Sequence, residues 1–411
     1  MRIKHLKLLN FRNHKKIEID FNKTNILLGP NGCGKTSILE SIFLISTSKS
    51  PRTSKNFDLI NWQKSKSFIE LTILDNDNQQ KVFRLLLSRK TKEKNKTFSI
   101  GGIIVGPKDI IGRIKTVYFS PETLEIINGN PSERRRFIDI LLSQVNPKYL
   151  ADLIEYKKIL INRNTLLKEI YFKKREREEI IFWDMKLIEV GSRIMRARNK
   201  AIISLSKPLN NFHKIIIEEN NEPDPAGGGV SGRVRWQSRS SAASTGLKSR
   251  QRRDIQAIPN KNNLEIKYHP SFALDEGIDG VENSYTERIA REFDFEIKYG
   301  NTLYGPHRDD IRFQYLDHDV ASFCSRGEIR SIIIALKLAE AEYIKQKKGD
   351  SPVILLDDIF SELDDKRIAK LGKFIIKDYQ SIISTVDANI IPIMAGRKNN
   401  IIKLKKGKAC V

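Results

Sequence analysis

Hydrophobic and polar positions alternate through much of the first 119 residues, a pattern typical of half-buried β-strands. These short segments predict six strands, with one helix following the third of them. The predicted strands cover residues 1–9, 16–21, 24–28, 67–74, 82–88 and 115–119. The amino-terminal part of the chain is therefore expected to be rich in β-structure.

From about residue 131 the apolar residues instead recur at three- and four-residue spacing, which indicates amphipathic helices. The later predicted elements are helices at 147–175 and 178–204, strands at 264–268 and 310–315, a helix from 326, an apolar strand at 352–358, a helix near 366–378 and a strand at 381–384. Strands at both ends of the chain thus flank a long helical insertion.

The loop after the third predicted strand fits the phosphate-binding P-loop pattern in full, and an apolar helix follows it as the motif requires. The residues predicted to bind nucleotide are Gly29, Pro30, Asn31, Gly32, Cys33, Gly34, Lys35, Thr36 and Ser37. Glycines let backbone N–H groups wrap around phosphates at the positive end of a helix dipole. Lys35 adds a charge near the outer phosphates, and the Thr36 hydroxyl can bind Mg²⁺. We therefore predict ATP and Mg²⁺ as cofactors.

A second motif lies about 320 residues later, where the apolar strand 352–358 ends in two carboxylates. This pattern is typical of a Walker B strand, in which Asp357 would bind Mg²⁺ and Asp358 would activate the attacking water. The alternative is a structural strand that ends in a solvated aspartate pair.

Two further segments resemble motifs of ABC-type ATPases. Ser361-Glu-Leu-Asp364 resembles the D-loop, which adds Asp364 to the predicted nucleotide site. Ser325 and Gly327 open the helix that precedes Walker B, as in the ABC signature. An ordinary helix N-cap would explain Ser325 without any function.

Composition and charge narrow the class of partner. The 411 residues include 73 basic and 50 acidic side chains, for a formal net charge of +23. Such an excess favours a polyanionic partner (DNA, RNA or an anionic membrane), although a lysine-rich proteome would produce the same number. No apolar run approaches the 18 residues of a membrane helix, and the first residues are no signal peptide, so we expect a cytoplasmic protein with no membrane partner. Cys33, Cys324 and Cys410 show neither metal-binding spacing nor a disulfide pattern.

One segment, 222–256, differs in composition from the rest of the chain because it is rich in Gly, Ser, Ala and Arg. It has few large apolar residues with which to form a core, so we expect disorder. An Arg-rich flexible segment could contact DNA, and an insertion without function is equally compatible with the sequence.

Taken together, these motifs resemble the RecF family of bacterial recombination mediator ATPases. Further stretches support the resemblance: Leu9-Asn-Phe-Arg-Asn13, Ser50-Pro-Arg-Thr53, Phe119-Ser-Pro-Glu122, the segment 129–139 and Tyr304-Gly-Pro-His-Arg-Asp-Asp310. The signature departs from the family pattern, since Arg326, Glu328 and Ile329 stand where the family usually has glutamines. A carboxylate at Glu328 would oppose a γ-phosphate if it pointed inward.

Three sets of arginines are further candidates for phosphate contacts. Arg12 and Arg52 flank the P-loop in sequence, and either could brace phosphates, unless both lie in solvated loops. Arg134, Arg135 and Arg136 begin a helix, where cations oppose the dipole, so we expect them to meet phosphates or acidic residues of a partner.

The resemblance implies an α/β fold: an ABC/SMC-type P-loop ATPase lobe with an inserted, mainly helical second lobe. Residues 1–125 and 300–411 would form the ATPase lobe, and 126–299 the insertion. It also implies an ATP-dependent homodimer that clamps duplex DNA near single-strand gaps and acts with RecR and RecO to load RecA, with slow, DNA-stimulated ATP hydrolysis as its switch. The alternatives are another SMC-like DNA-repair ATPase and, with a shorter insertion expected, an ABC transporter ATPase subunit.

Overall fold

The computed structural model describes residues 1–89, 95–217, 264–362, 365–389, 391–392, 399–405 and 408–410. The segment 222–256, for which we predict disorder, and Asp364 lie outside the described residues. The strands are β1 (Arg2–Phe11), β2 (His14–Asp20), β3 (Thr24–Leu28), β4 (Lys66–Leu74), β5 (Gln80–Ser88), β6 (Lys96–Ile100), β7 (Ile103–Val105), β8 (Thr116–Phe119), β9 (Leu264–His269), β10 (Asp310–Tyr315), β11 (His318–Asp319), β12 (Val353–Asp357), β13 (Ser381–Thr385), β14 (Asn399–Lys405) and β15 (Lys408–Cys410). The helices are α1 (Lys35–Thr47), α2 (Pro107–Ile110), α3 (Glu125–Asn128), α4 (Pro131–Val145), α5 (Pro147–Tyr171), α6 (Ile181–Ile217), α7 (Val281–Tyr299), α8 (Val320–Phe323), α9 (Arg326–Lys348) and α10 (Asp365–Asp378).

A six-stranded sheet joins strands from both ends of the chain in the order β15-β14-β3-β13-β12-β8. Its strands β14, β3, β13, β12 and β8 are parallel, whereas β15 pairs with β14 in the antiparallel direction. The sheet is covered on both faces, which explains why β12 reads as a continuous apolar run instead of alternating. Val353 and Leu355 face one core, and Ile354 and Leu356 face the other.

The second six-stranded sheet is antiparallel, in the order β2-β1-β4-β5-β6-β7. Helix α1 lies between the two sheets, because its buried Ile38 and Ile42 share one core with Leu71 of β4 and Leu355 of β12. This position places the amino-terminal end of α1, and therefore the P-loop, at the carboxyl edge of the parallel sheet.

The other face of the parallel sheet packs against α9 and α10 and, beyond them, against the long helices. One large core includes Ile354 of β12, Leu336 of α9, Ile375 of α10 and Leu209 of α6. A small antiparallel sheet, in the order β11-β10-β9, lies within this helical part. Strand β10 pairs with β9 across the predicted boundary at residue 299, and the division of the chain into two lobes stays a prediction.

The structure has the predicted α/β architecture, in which a parallel sheet is built from both ends of the chain and a largely helical part is inserted between them. It also differs from the predicted elements in places. Helix α6 continues to Ile217 instead of ending at residue 204, since Leu205, Leu209 and Phe212 extend its buried stripe past Pro208. The hairpin of β6 and β7 was missed because these strands are short and carry mixed polar and apolar residues.

Candidate functional site

The P-loop connects the buried strand β3 to α1, and its glycines are required by geometry. Gly34 has a φ of 109°, in the left-handed region that favours glycine. A Cβ atom at this position would lie 2.3 Å from Nε2 of His14. His14 Nε2 in turn donates to the Gly34 carbonyl oxygen over 3.0 Å, and the Asn13 amide donates to the Gly32 carbonyl oxygen over 3.2 Å. The turn between β1 and β2 therefore holds the P-loop from outside.

Lys35 is the first residue of α1, and its side chain is only 4% exposed. Its Nζ atom donates to the carbonyl oxygens of Gly29, at 2.8 Å, and Pro30, at 3.2 Å. The ammonium group is thus folded back over the P-loop at the amino-terminal end of the helix, where an anion is favoured by the dipole.

Asp357 ends the central strand β12 and is 3% exposed. Thr36 Oγ1 donates to its Oδ1 atom over 3.0 Å, although the two residues are 321 positions apart in sequence. They meet because β3 and β12 are parallel and both end at the same edge of the sheet. Burial raises the pKa of Asp357, and the hydrogen bonds from Ser384, Tyr118 and Thr36 oppose that rise by stabilising the carboxylate.

Asp358 follows directly and adopts a left-handed backbone conformation with a φ of 50°. Its N–H group donates to Ser384 Oγ over 3.0 Å. After this reversal of the chain Asp358 lines the cavity, whereas Asp357 is not among the described lining residues. The two carboxylates of the pair therefore differ in position.

A cavity of about 820 Å³ lies over the P-loop. The predicted site residues that line it are Arg12, Asn31, Gly32, Gly34, Lys35, Thr36, Ser37, Arg52 and Asp358. Its lining also includes Asn13, Thr53, Phe57, Asp58, Ile60, Asn61, Trp62 and Arg89, none of which was a predicted site residue. Trp62 is 91% exposed, and only the surrounding fold could have placed it here.

The two arginines predicted to brace phosphates are placed differently. Arg12 donates through Nε and Nη2 to both carboxylate oxygens of the fully buried Glu40, at 2.9 and 2.7 Å. Arg52 is more exposed, and its Nε lies 3.8 Å from Glu122 Oε1. The contact of Arg52 is therefore longer than those of Arg12, whose guanidinium is paired with Glu40 of α1.

The signature residues lie elsewhere on the chain. Ser325 caps α9, and Glu328 folds back so that its Oε2 accepts the Ser325 N–H over 2.7 Å. The hydrogen bond with the Ser325 side chain, followed by the one from the Ser325 N–H, lowers the pKa of Glu328, and its carboxylate lies at the end of the helix. Among the described residues that line the cavity, neither Ser325 nor Gly327 is present.

Two hydroxyl groups that the sequence reasoning missed contact the Walker B carboxylate. Tyr118 O–H donates to Asp357 Oδ2 over 2.8 Å, and Ser384 Oγ donates to Oδ1 over 2.7 Å. The available signal was weak: each is a hydroxyl residue near the end of a predicted apolar strand.

The chemistry of Thr36 and Asp357 fits Mg²⁺. The metal prefers hard oxygen ligands and is usually bound by one or two carboxylates together with substrate phosphates. A hydroxyl and a carboxylate oxygen 3.0 Å apart, beside a P-loop, provide that ligand set. Within the described ranges, no three His, Cys, Asp or Glu side chains form a separate metal cluster. In the same part of the chain, no helix has the length and apolar character needed to span a membrane.

Comparison with known proteins agrees with this geometry. Residues 2–409 match the family described as RecF/RecN/SMC N terminal domain. The chain is 35% identical, over 89% of its length and 88% of the relative, to the DNA replication and repair protein RecF of Lachnoclostridium phytofermentans (strain ATCC 700394 / DSM 18823 / ISDg). It is 31% identical to the RecF protein of Bacillus subtilis (strain 168), over 99% of each chain.

Solved structures give the same result. The structure of the recombination mediator protein RecF-ATP in the RecFOR pathway is similar with a TM-score of 0.80 and 27% identity, covering 99% of this chain and 96% of that one. The Smc head domain from Pyrococcus furiosus, with a TM-score of 0.51 and 15% identity over 99% and 94% of the two chains, shares the fold alone. This chain therefore belongs to the RecF family of ABC/SMC-type, ATP-binding proteins.

Proposed function

We propose that this chain is an ATP-dependent DNA-binding protein of recombinational repair and replication maintenance. The observation that carries the proposal is the 3.0 Å contact between Thr36 and Asp357, which joins the two ATPase motifs beside one large cavity. The names of its relatives, DNA replication and repair proteins, support the assignment of the process.

At this site, the P-loop backbone and Lys35 would bind the triphosphate of ATP. Thr36 and Asp357 would hold Mg²⁺, which when bound neutralises charge on the outer phosphates. Asp358, on the cavity wall, would accept a proton from the attacking water. The positions of these side chains and the family resemblance support these roles.

The complete ATPase would be a homodimer. Ser325 and Gly327 do not line their own chain's cavity, so they would meet the ATP bound by the second protomer, and Asp364 would be a further nucleotide-binding residue. The ATPase lobe would consist of 1–125 and 300–411, with 126–299 as the second lobe. The closed dimer would clamp duplex DNA near gaps, and hydrolysis would open it. By resemblance to the RecF family, RecR and RecO would be its partners, and RecA would be loaded at the gap as a result.

The variant Asp358→Asn tests the proposed switch. It keeps the size of the side chain but removes its basicity, so ATP binding should persist while turnover falls roughly 10²-fold or more, the usual contribution of a general base. Closed dimers should accumulate with ATP, as measured by sedimentation velocity, and DNA should no longer stimulate phosphate release. Turnover at the parent rate would show that Asp358 is not the base.

DNA binding should be steep in salt and nearly independent of sequence. The net charge of +23 favours contacts to backbone phosphates, which release counterions. Affinity for a duplex, measured by fluorescence anisotropy with ATP present, should fall roughly 10³-fold between 50 and 200 mM salt. A flat salt profile, or a strong preference for one sequence, would contradict the proposed clamp.

A further inference from the structure

Three hydroxyl groups surround the carboxylate of Asp357, and they divide its two oxygens between them. Thr36 Oγ1 and Ser384 Oγ both contact Oδ1, at 3.0 and 2.7 Å. Tyr118 O–H donates to Oδ2 over 2.8 Å. The carboxylate is thus held at both oxygens, and its rotation about the Cβ–Cγ bond is restricted.

Tyr118 is well placed to impose this restriction because its own position is fixed. It lies on β8, directly opposite Leu355 of β12, two residues before Asp357. Its side chain is 3% exposed, and its ring lies 5.3 Å from that of Phe43 on α1. The phenol is therefore held in place as a hydrogen-bond donor to Asp357.

The orientation of this carboxylate matters more for Mg²⁺ than for folding. Mg²⁺ requires nearly ideal octahedral geometry and short bonds to oxygen, so a ligand that rotates freely binds it poorly. Groups that hydrogen-bond to a ligating carboxylate fix its direction, and losing one typically costs 10–100-fold in metal affinity. Tyr118 is such a group for Asp357, since it donates a hydrogen bond to Oδ2 while Oδ1 is directed at Thr36.

We propose that Tyr118 is a positioning residue for nucleotide-bound Mg²⁺: its hydroxyl holds Oδ2 of Asp357 so that Oδ1 and the Thr36 hydroxyl face the metal together. The inference rests on the proposed function, in which Thr36 and Asp357 bind the ion. It adds Tyr118, which lies on a strand outside the two ATPase motifs, to the residues that determine how tightly the ion is bound.

The test is the variant Tyr118→Phe, which keeps the ring and removes only the hydroxyl. The matched control is Tyr149→Phe, because Tyr149 is equally buried and its hydroxyl donates to a carboxylate of the helical part, Asp139, over 2.5 Å. Binding of a fluorescent ATP analogue to the full chain is measured first in EDTA and then as a function of Mg²⁺ concentration. Circular dichroism and the melting temperature report on folding.

We expect Tyr118→Phe to bind the analogue in EDTA as the parent does, while the Mg²⁺ concentration at half-saturation rises roughly tenfold. Tyr149→Phe should change neither quantity. An unchanged Mg²⁺ requirement in Tyr118→Phe, an equal loss of affinity in EDTA, or a failure of this variant alone to fold would overturn the proposal, because each would make the hydroxyl irrelevant or merely structural. A parent protein that bound no ATP analogue would instead overturn the proposed function.

Discussion

Two buried aspartates, Asp357 and Asp309, have similar surroundings but lie in different kinds of site. Both are nearly inaccessible, with exposures of 3% and 0%, and burial raises the pKa of each. Both accept hydrogen bonds from a tyrosine hydroxyl, that of Tyr118 for Asp357 and that of Tyr268 for Asp309. Asp357, however, contacts Thr36 beside the P-loop, whereas Asp309 lies in a network of groups that hydrogen-bond to one another. Burial and a raised pKa therefore do not identify a functional site by themselves.

The surroundings of Asp309 form a closed polar network in the helical part of the molecule. Its carboxylate accepts the Ser271 N–H over 2.7 Å, and its main-chain oxygen accepts from Arg135 over 2.6 Å. Nearby, Arg198 donates to Asp139 and to the Pro306 carbonyl oxygen. The segment 304–310, which supports the family resemblance in the sequence, belongs to this network. Its residues therefore connect helices in this structure.

The arginines at the start of α4, which we expect to meet phosphates or acidic residues of a partner, have partners within the chain. Arg134 pairs with Asp310 through two hydrogen bonds of 2.7 and 3.0 Å. Arg135 contacts the main chain of Asp309, and Arg136 donates to the Ser50 carbonyl oxygen. These contacts join α4 to β10 and to the loop after α1. Tertiary contacts therefore account for cations at the start of a helix, where they oppose the dipole.

Removing Arg163 should have the largest effect and would sharpen the contrast between the two regions. Arg163 is fully buried and contacts Asp184 and Glu296 at 2.6 Å each and Thr302 at 2.8 Å. Arg163→Met leaves two carboxylates without their cation, which costs about 3–5 kcal/mol of unfolding free energy. Urea titrations followed by circular dichroism measure this loss.

The variant should still bind ATP, because the P-loop lies in the other region. Arg193→Met is a suitable comparison, since that more exposed arginine also pairs with an aspartate, Asp152, and should cost far less. If Arg163→Met lost ATP binding while remaining folded, the two regions would not be separable.

The converse variant, Lys35→Ala, should remove ATP binding and spare folding. It deletes the charge that the P-loop provides for the outer phosphates. Because hydrogen bonds to charged groups are lost, we expect the affinity for ATP to fall roughly 100-fold or more. Equilibrium binding of a fluorescent ATP analogue measures it. Lys115→Ala is the matched control, because Lys115 is also buried and precedes β8 at the opposite edge of the parallel sheet. Equal losses in both variants would contradict the site assignment.

A smaller effect should appear when the pH is lowered, and it should arise in the helical part. Burial lowers the pKa of His307 to about 4, although its hydrogen bond to Thr302 opposes the shift, and Arg308, Arg135 and Arg198 add to it. The unfolded state, with a pKa near 6.5, binds the proton more readily, so this contribution to stability is present above pH 6.5 and is lost as the pH falls towards 4. At pH 5 the loss amounts to roughly 2 kcal/mol.

Urea titrations at pH 7 and pH 5 provide the measurement. The variant His307→Gln cannot titrate in this range, and its amide can replace the contacts to Tyr156 and Thr302. It should therefore lose less stability on acidification than the parent, whereas His5→Gln at the surface should behave as the parent does. A parent-like pH dependence in His307→Gln would show that His307 is not buried as a neutral ring.

The sequence predicted the elements whose periodicity and motifs are local. Strand β3, the P-loop and α1 are contiguous in sequence. Their glycines and apolar residues therefore predict the strand, the loop and the helix directly. The end of α6 and the hairpin of β6 and β7 were harder, because a proline inside a packed helix and very short strands are tolerated only through tertiary contacts. Trp62 and Ser384 could not be assigned to the site for a related reason: nothing local distinguishes them from other exposed or apolar-strand residues.

The local motifs alone predict that this chain binds ATP through a P-loop, carries a Walker B strand and has a helical insertion between them. These features depend on short-range spacing, which the chain carries wherever it folds. The long-range contacts appear only in the folded molecule: Thr36 meets Asp357, Tyr118 and Ser384 donate to the same carboxylate, and Arg134 pairs with Asp310. Those contacts join residues far apart in sequence, and they exist because parallel strands end at one edge of a sheet and helices bury their polar groups against one another.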